Sequence, residues 1–146
     1  MNVNWKSKNG HREFRIFRGK LIVGILKKKG WSRNAYGEYN GAMVQFLSEG
    51  FLNPVITILD IEGTKKLGKI HYFRFKGIAS IQYEEQMFEW KYKSQQKKEW
   101  SIISDDDFVN YTISNTTQVE GEIEIEGIRP EVVLTGLYIH TLNRLF

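Results

Sequence analysis

A closed antiparallel β-barrel of about 11–12 strands around a central hydrophobic C-terminal α-helix is the fold this sequence predicts. Three observations lead there. Short apolar or alternating runs recur about every ten residues between Gly, Asn, Asp and Lys clusters, the pattern of antiparallel strands joined by tight turns. Aromatic residues make up 14% of the chain, and 13 Gly stand against 2 Pro, which favours strands and turns over helices. The last apolar segment, from Val132 to Leu142, opens with helix signals and has almost no polar face.

The strands follow in order. Segments 13–17 and 20–26 flank Arg18-Gly19, where glycine permits the positive φ that hairpin turns require. Two more are expected at 32–36 and 42–47. Segments 55–61 and 67–75 are separated by Glu62-Gly63-Thr64-Lys65-Lys66, and 78–83 and 87–92 by Glu84-Glu85-Gln86, gaps short enough for antiparallel pairing. Segments 100–104, 108–114 and 120–126 complete the set. Alternation fixes the faces: Phe88, Trp90 and Tyr92 share one side, whereas Met87, Glu89, Lys91 and Lys93 share the other. The 146 residues predict one domain, 1–146, with strands over about 12–126 and the helix over about 130–143. The polar N-terminus, MNVNWKSKNGHREF, is left out of the strands up to residue 12.

The helix starts at Arg129-Pro130-Glu131, with Pro suited to the first turn and an acid beside the positive end of the helix dipole. Projected at 100° per residue, Val132, Val133, Leu134, Leu137, Tyr138, Ile139 and Leu142 surround the axis. Such a helix must be enclosed, and a barrel of about eleven strands is wide enough to hold one while leaving no open edge. Gly136 costs about 1 kcal/mol in a helix interior, which a close approach to the barrel wall explains.

Many short strands ending in Gly121-Glu122-Ile123-Glu124-Ile125 and the helix Pro130-Glu131-Val132-Val133-Leu134-Thr135-Gly136-Leu137-Tyr138-Ile139 resemble the tubby-like superfamily. That group includes tubby C-terminal domains, LURP-one-related proteins and phospholipid scramblases. The run Ile56-Thr57-Ile58-Leu59-Asp60 through Gly63 to Leu67-Gly68-Lys69-Ile70 also looks like a strand, turn and strand of the LURP-one-related members. The resemblance covers most of the chain from about residue 12, and it implies a closed antiparallel barrel around a central helix. For the tubby branch it implies phosphoinositide binding through specific basic residues. No such motif matches here residue by residue, so none is carried over. Scramblases place Ca²⁺-binding acids before their last helix, whereas Glu126-Gly127-Ile128-Arg129 offers one acid and one base.

Composition removes several chemistries. There is no Cys, so disulfides, thiolate metal sites and a Cys nucleophile are excluded. The polar start gives no apolar core for a secretory signal, and the longest apolar segment falls short of the ~20 residues that span a bilayer. A cytoplasmic location is expected, with a membrane-peripheral role open. No P-loop, dinucleotide fingerprint or nucleophile elbow occurs, and no cofactor is called for.

Charge carries the remaining signal. Residues 1–33 hold ten Lys or Arg against one Glu, while residues 99–131 hold nine acids and one Arg. Lys27-Lys28-Lys29-Gly30-Trp31, with Arg33, sets cations beside an indole suited to a headgroup interface, and is the candidate site for lipid or another anion. A solvated turn is the structural alternative. Trp5, Trp31, Tyr36 and Tyr39 offer stacking platforms for nucleic acid, but no nucleic-acid motif accompanies them. Intramolecular balance between the basic and acidic stretches is a further reading.

Three consecutive acids, Asp105-Asp106-Asp107, read as a polar hairpin turn, because neighbours in an extended chain cannot all face one ion. Glu122, Glu124 and Glu126 share a strand face about 7 Å apart, as either a solvated surface or a paired acid and base. His11, His71 and His140 lack metal-site spacing. The expectation is therefore a non-enzymatic binding module, its basic N-terminal region contacting anionic phospholipid. The alternatives are a lipocalin-like or fatty-acid-binding carrier, which needs an open lumen, and a protein-interaction barrel.

Overall fold

The computed structural model describes residues 1–114, 117 and 119–143; residues 115, 116, 118 and 144–146 of the expected domain lie outside the described residues. Twelve antiparallel strands form a closed barrel. They are β1 (Asn2–Lys8), β2 (Glu13–Arg18), β3 (Leu21–Lys28), β4 (Ala35–Tyr39), β5 (Ala42–Glu49) and β6 (Val55–Asp60). The second half comprises β7 (Lys66–Phe73), β8 (Ile78–Tyr83), β9 (Gln86–Tyr92), β10 (Glu99–Ser104), β11 (Asp107–Ile113) and β12 (Glu120–Glu126). Each strand pairs with its neighbours in sequence, and β1 closes the ring against β12. Helix α1 (Pro130–Thr141) follows.

The strand expectation needs correction at its start, because β1 begins at Asn2 rather than near residue 12. Val3, Trp5 and Ser7 point inward and are buried, while Asn2, Asn4, Lys6 and Lys8 point outward. Only two of the inward residues are apolar, so the alternation hides inside a polar segment. This strand supplies the seam: Trp5 lies opposite Gly121, and its Nε1 reaches across β12 to donate to the Thr112 carbonyl at 3.2 Å. A Cβ on Gly121 would overlap both the Thr112 carbonyl and the indole nitrogen, so only glycine fits there. Lys6 pairs in register with Glu120, setting part of the basic N-terminus beside part of the acidic stretch.

Smaller corrections have local causes. Strand β4 runs over Ala35–Tyr39 rather than 32–36, because Ser32 and Asn34 serve the preceding turn: Ser32 Oγ donates to the Lys29 carbonyl and accepts from Asn34 N. Strand β7 stops at Phe73 instead of 75, where a 3-10 turn, Arg74–Lys76, ends on Gly77 with φ 63°. Regular helix ends at Thr141, two residues before the expected 143.

Helix α1 lies in the lumen, where side chains from opposite parts of the ring meet it. Phe46 of β5 stacks on Tyr138 at 4.3 Å between centroids, and Leu134 packs on Gly37 of β4. Across the lumen, Trp100 of β10 stacks on His140 at 4.0 Å, and Tyr111 of β11 donates to the Val133 carbonyl at 2.8 Å. Val132 through Ile139 are all buried, so no face of the helix meets water. Trp90 and Trp100 both donate their indole N–H to the Gly136 carbonyl, at 3.2 and 3.0 Å. A Cβ on Gly136 would overlap the Tyr111 hydroxyl and crowd Ile102, which accounts for a glycine in mid-helix.

Candidate functional site

In a barrel of sequential antiparallel strands, successive connections alternate between the two ends. Those following β1, β3, β5, β7, β9 and β11 gather at one end, with the C-terminus of α1. That end carries Arg12, Lys29, Arg33, Arg74, Lys76, Lys93, Lys97 and Lys98 in its connections, with no Asp or Glu among their described residues, while Glu13, Glu49, Glu99 and Glu120 end the strands beside them. The connections at the other end hold Glu62, Glu84, Glu85, Asp105 and Asp106 with Lys20, Lys65 and Arg129. The barrel is therefore polarised along its axis.

This polarity opposes the dipole of the enclosed helix, which is positive at its N-terminus and negative at its C-terminus. Glu131 sits in the first turn, accepting from Tyr83 Oη at 3.0 Å and from Arg129 at 2.9 Å; Arg129 also pairs with Glu84 at 3.1 Å. At the far end the buried Arg74 donates to the Leu142 carbonyl, and Lys28 Nζ donates to the Thr141 carbonyl at 3.4 Å.

The five predicted site residues share this basic end but not one surface. Lys27 and Lys29 are exposed, with Lys29 donating to Gln45 Oε1. Period two turns Lys28 toward the helix terminus, so it serves the helix C-terminus. Trp31 is 95% exposed, with the Arg12 guanidinium 5.3 Å from its ring. Arg33 folds back to donate to the Phe51 carbonyl at 2.9 Å and the Gly50 carbonyl at 3.3 Å, and lies 5.2 Å from the Phe51 ring. Burial lowers the Arg33 pKa, and the nearby Arg74 charge lowers it further. The basic N-terminal region also divides: Arg18 and Lys20 flank the β2–β3 turn at the opposite end.

Other parts of the chain complete the site. Phe51, Leu52 and Phe75 are 60%, 48% and 82% exposed at this same end, although their size favours burial. An open-sided pocket of about 600 Å³ lies between the 3-10 turn, the β5–β6 connection and the β9–β10 connection. Phe51, Leu52, Phe75 and Tyr92 give it apolar walls, and Arg74, Lys76, Lys93 and Lys97 give it charge. Lys97 Nζ donates to Asn143 Oδ1 at 2.7 Å and lies 5.8 Å from the Tyr92 ring. Among the described residues, no ion pair involves these four cations or Arg33.

The remaining candidates fall elsewhere. Glu122, Glu124 and Glu126 are exposed on the outer face of β12, and Glu124 accepts from Asn110 Nδ2 at 3.1 Å. Asp105 and Asp106 form the β10–β11 turn, with Asp105 at φ 52°. His11 and His140 approach within 6.4 Å beside the helix end, while His71 is exposed on β7. No cluster of three or more metal-ligating side chains occurs among the described residues, and no described helix is long and apolar enough to cross a membrane. Comparison with protein-family models, curated proteins and solved structures gave no match, so the functional reading rests on this geometry alone.

Proposed function

We propose that this chain is a non-enzymatic intracellular binding module of tubby-like type that docks its basic barrel end on an anionic phospholipid surface. One observation carries the reading: the connections of the end that exposes Trp31, Phe51, Leu52 and Phe75 hold eight cations, of which Lys29, Lys76, Lys93 and Lys98 are exposed, and no acid among their described residues. Apolar tips suit the headgroup boundary, and each nearby Lys or Arg adds about 1 kcal/mol of attraction to an anionic leaflet. The closed barrel with its enclosed C-terminal helix supports the tubby-like part. A carrier would need an open lumen, and α1 occupies that space.

Co-sedimentation with phosphatidylcholine vesicles containing phosphatidylserine tests the proposal. Binding is expected at low ionic strength and should weaken as salt screens the charges. Reversing the exposed pair, Lys27→Glu with Lys29→Glu, should reduce affinity by about tenfold or more. Lys20→Glu with Lys65→Glu, at the opposite end, should have little effect. No sedimentation at either salt strength would reject the lipid reading, and retention of an acidic protein partner in its place would support a protein-interaction barrel.

A further inference from the structure

The pocket at the basic end brings cationic and apolar side chains into one concave site. Lys76 and Lys93 supply exposed ammonium groups, and Arg74 and Lys97 stand deeper. Phe51, Leu52 and Phe75 add apolar lining, and Phe75 is largely accessible. A volume of about 600 Å³ falls in the range of small-molecule sites and exceeds what one phosphate needs. Arg33 and Arg74 both donate to the Phe51 carbonyl, so two guanidiniums converge with a neutral acceptor between them. Such a concentration of positive charge favours an anion with several acceptor oxygens over a neutral ligand.

We infer that this pocket takes one phospholipid molecule from the surface on which the protein docks. Its phosphate would lie among Lys76, Lys93 and Lys97, and the first carbons of a chain against Phe51, Leu52 and Phe75. The inference rests on the phospholipid reading above and adds a saturable, single-molecule site to it. The apolar lining distinguishes this ligand from inorganic phosphate, which would leave Phe51, Leu52 and Phe75 unused.

Calorimetric titration of the full chain with dihexanoyl phosphatidic acid, below its micelle concentration, tests this directly. Inorganic phosphate serves as the second ligand and phosphatidylserine-containing vesicles as the third. The expected result is one-to-one saturation by the short-chain lipid, at least about tenfold tighter than phosphate, with Lys76→Glu plus Lys93→Glu weakening it about tenfold or more. Both lysines are exposed, so the fold should survive, and Phe75→Ser should also weaken the lipid without changing phosphate binding. Lack of saturation, equal affinity for phosphate, or indifference to the lysine reversals would overturn the pocket assignment. If the vesicles still bind in those cases, the surface reading stands without the pocket. If they do not bind, both fall.

Discussion

Gly136 fits into the space left by Tyr111, Trp90 and Trp100, and the consequence reverses the usual helix rule. Alanine is ordinarily about 1 kcal/mol better than glycine within a helix. Here the added methyl would overlap the hydroxyl of the fully buried Tyr111 and crowd Ile102. Gly136→Ala should therefore destabilise the protein by about 1–3 kcal/mol, read from the denaturant midpoint; a gain in stability would contradict the packing described. Tyr111→Phe alone should cost about 0.5–1.5 kcal/mol for its bond to the Val133 carbonyl. Combined, the two changes should cost less than their sum, because removing Oη relieves part of the overlap. The glycine and its reason were legible in the sequence, since a costly residue in an otherwise apolar helix implies a close neighbour. That neighbour, Tyr111, was not, because it comes from a strand 25 residues earlier and its position depends on how the ring closes.

Helix α1 is held along its length by phenols and indoles from the wall, and this imposes a pH limit. Burial raises the pKa of Tyr83, Tyr92, Tyr111 and Tyr138, with Glu131 adding to the shift at Tyr83. A raised folded-state pKa means the native protein retains phenolic protons that the unfolded chain releases. Stability from these groups is full below the unfolded value of about 10 and is lost as pH rises through the folded values. Phenolate absorbance from these four tyrosines should thus appear only as native circular dichroism disappears. Their titration near pH 10 in a folded protein would show that they are not enclosed. The helix itself was legible because an all-round apolar segment has few places to go. Strand β1 was not, since Val3 and Trp5 are its only apolar inward residues and the register against Gly121 is set by closure.

Polarity along the barrel axis depends on topology that local sequence does not express. The run Lys27-Lys28-Lys29 drew attention because its charges are adjacent, yet strand alternation turns Lys28 toward the helix end. Arg74, Lys76, Lys93 and Lys97 are far from it in sequence and join it because every second connection returns to the same end. Summing charge over alternate connections of the expected strands finds Lys76, Lys93 and Lys97, whereas Arg74 lies inside the expected strand 67–75, which ends at Phe73. The exposed Phe51 and Phe75 were hidden for another reason: an aromatic beside a strand is read as core until a turn is shown to hold it outside. The absence of Cys provides a direct test of which end meets lipid. Asn53→Cys in the β5–β6 connection and Asp106→Cys in the β10–β11 turn each give one site for a fluorophore, which nitroxide-bearing lipids in anionic vesicles can quench. Strong quenching at residue 53 with little at residue 106 is expected; equal quenching, or quenching confined to residue 106, would contradict docking through the basic end.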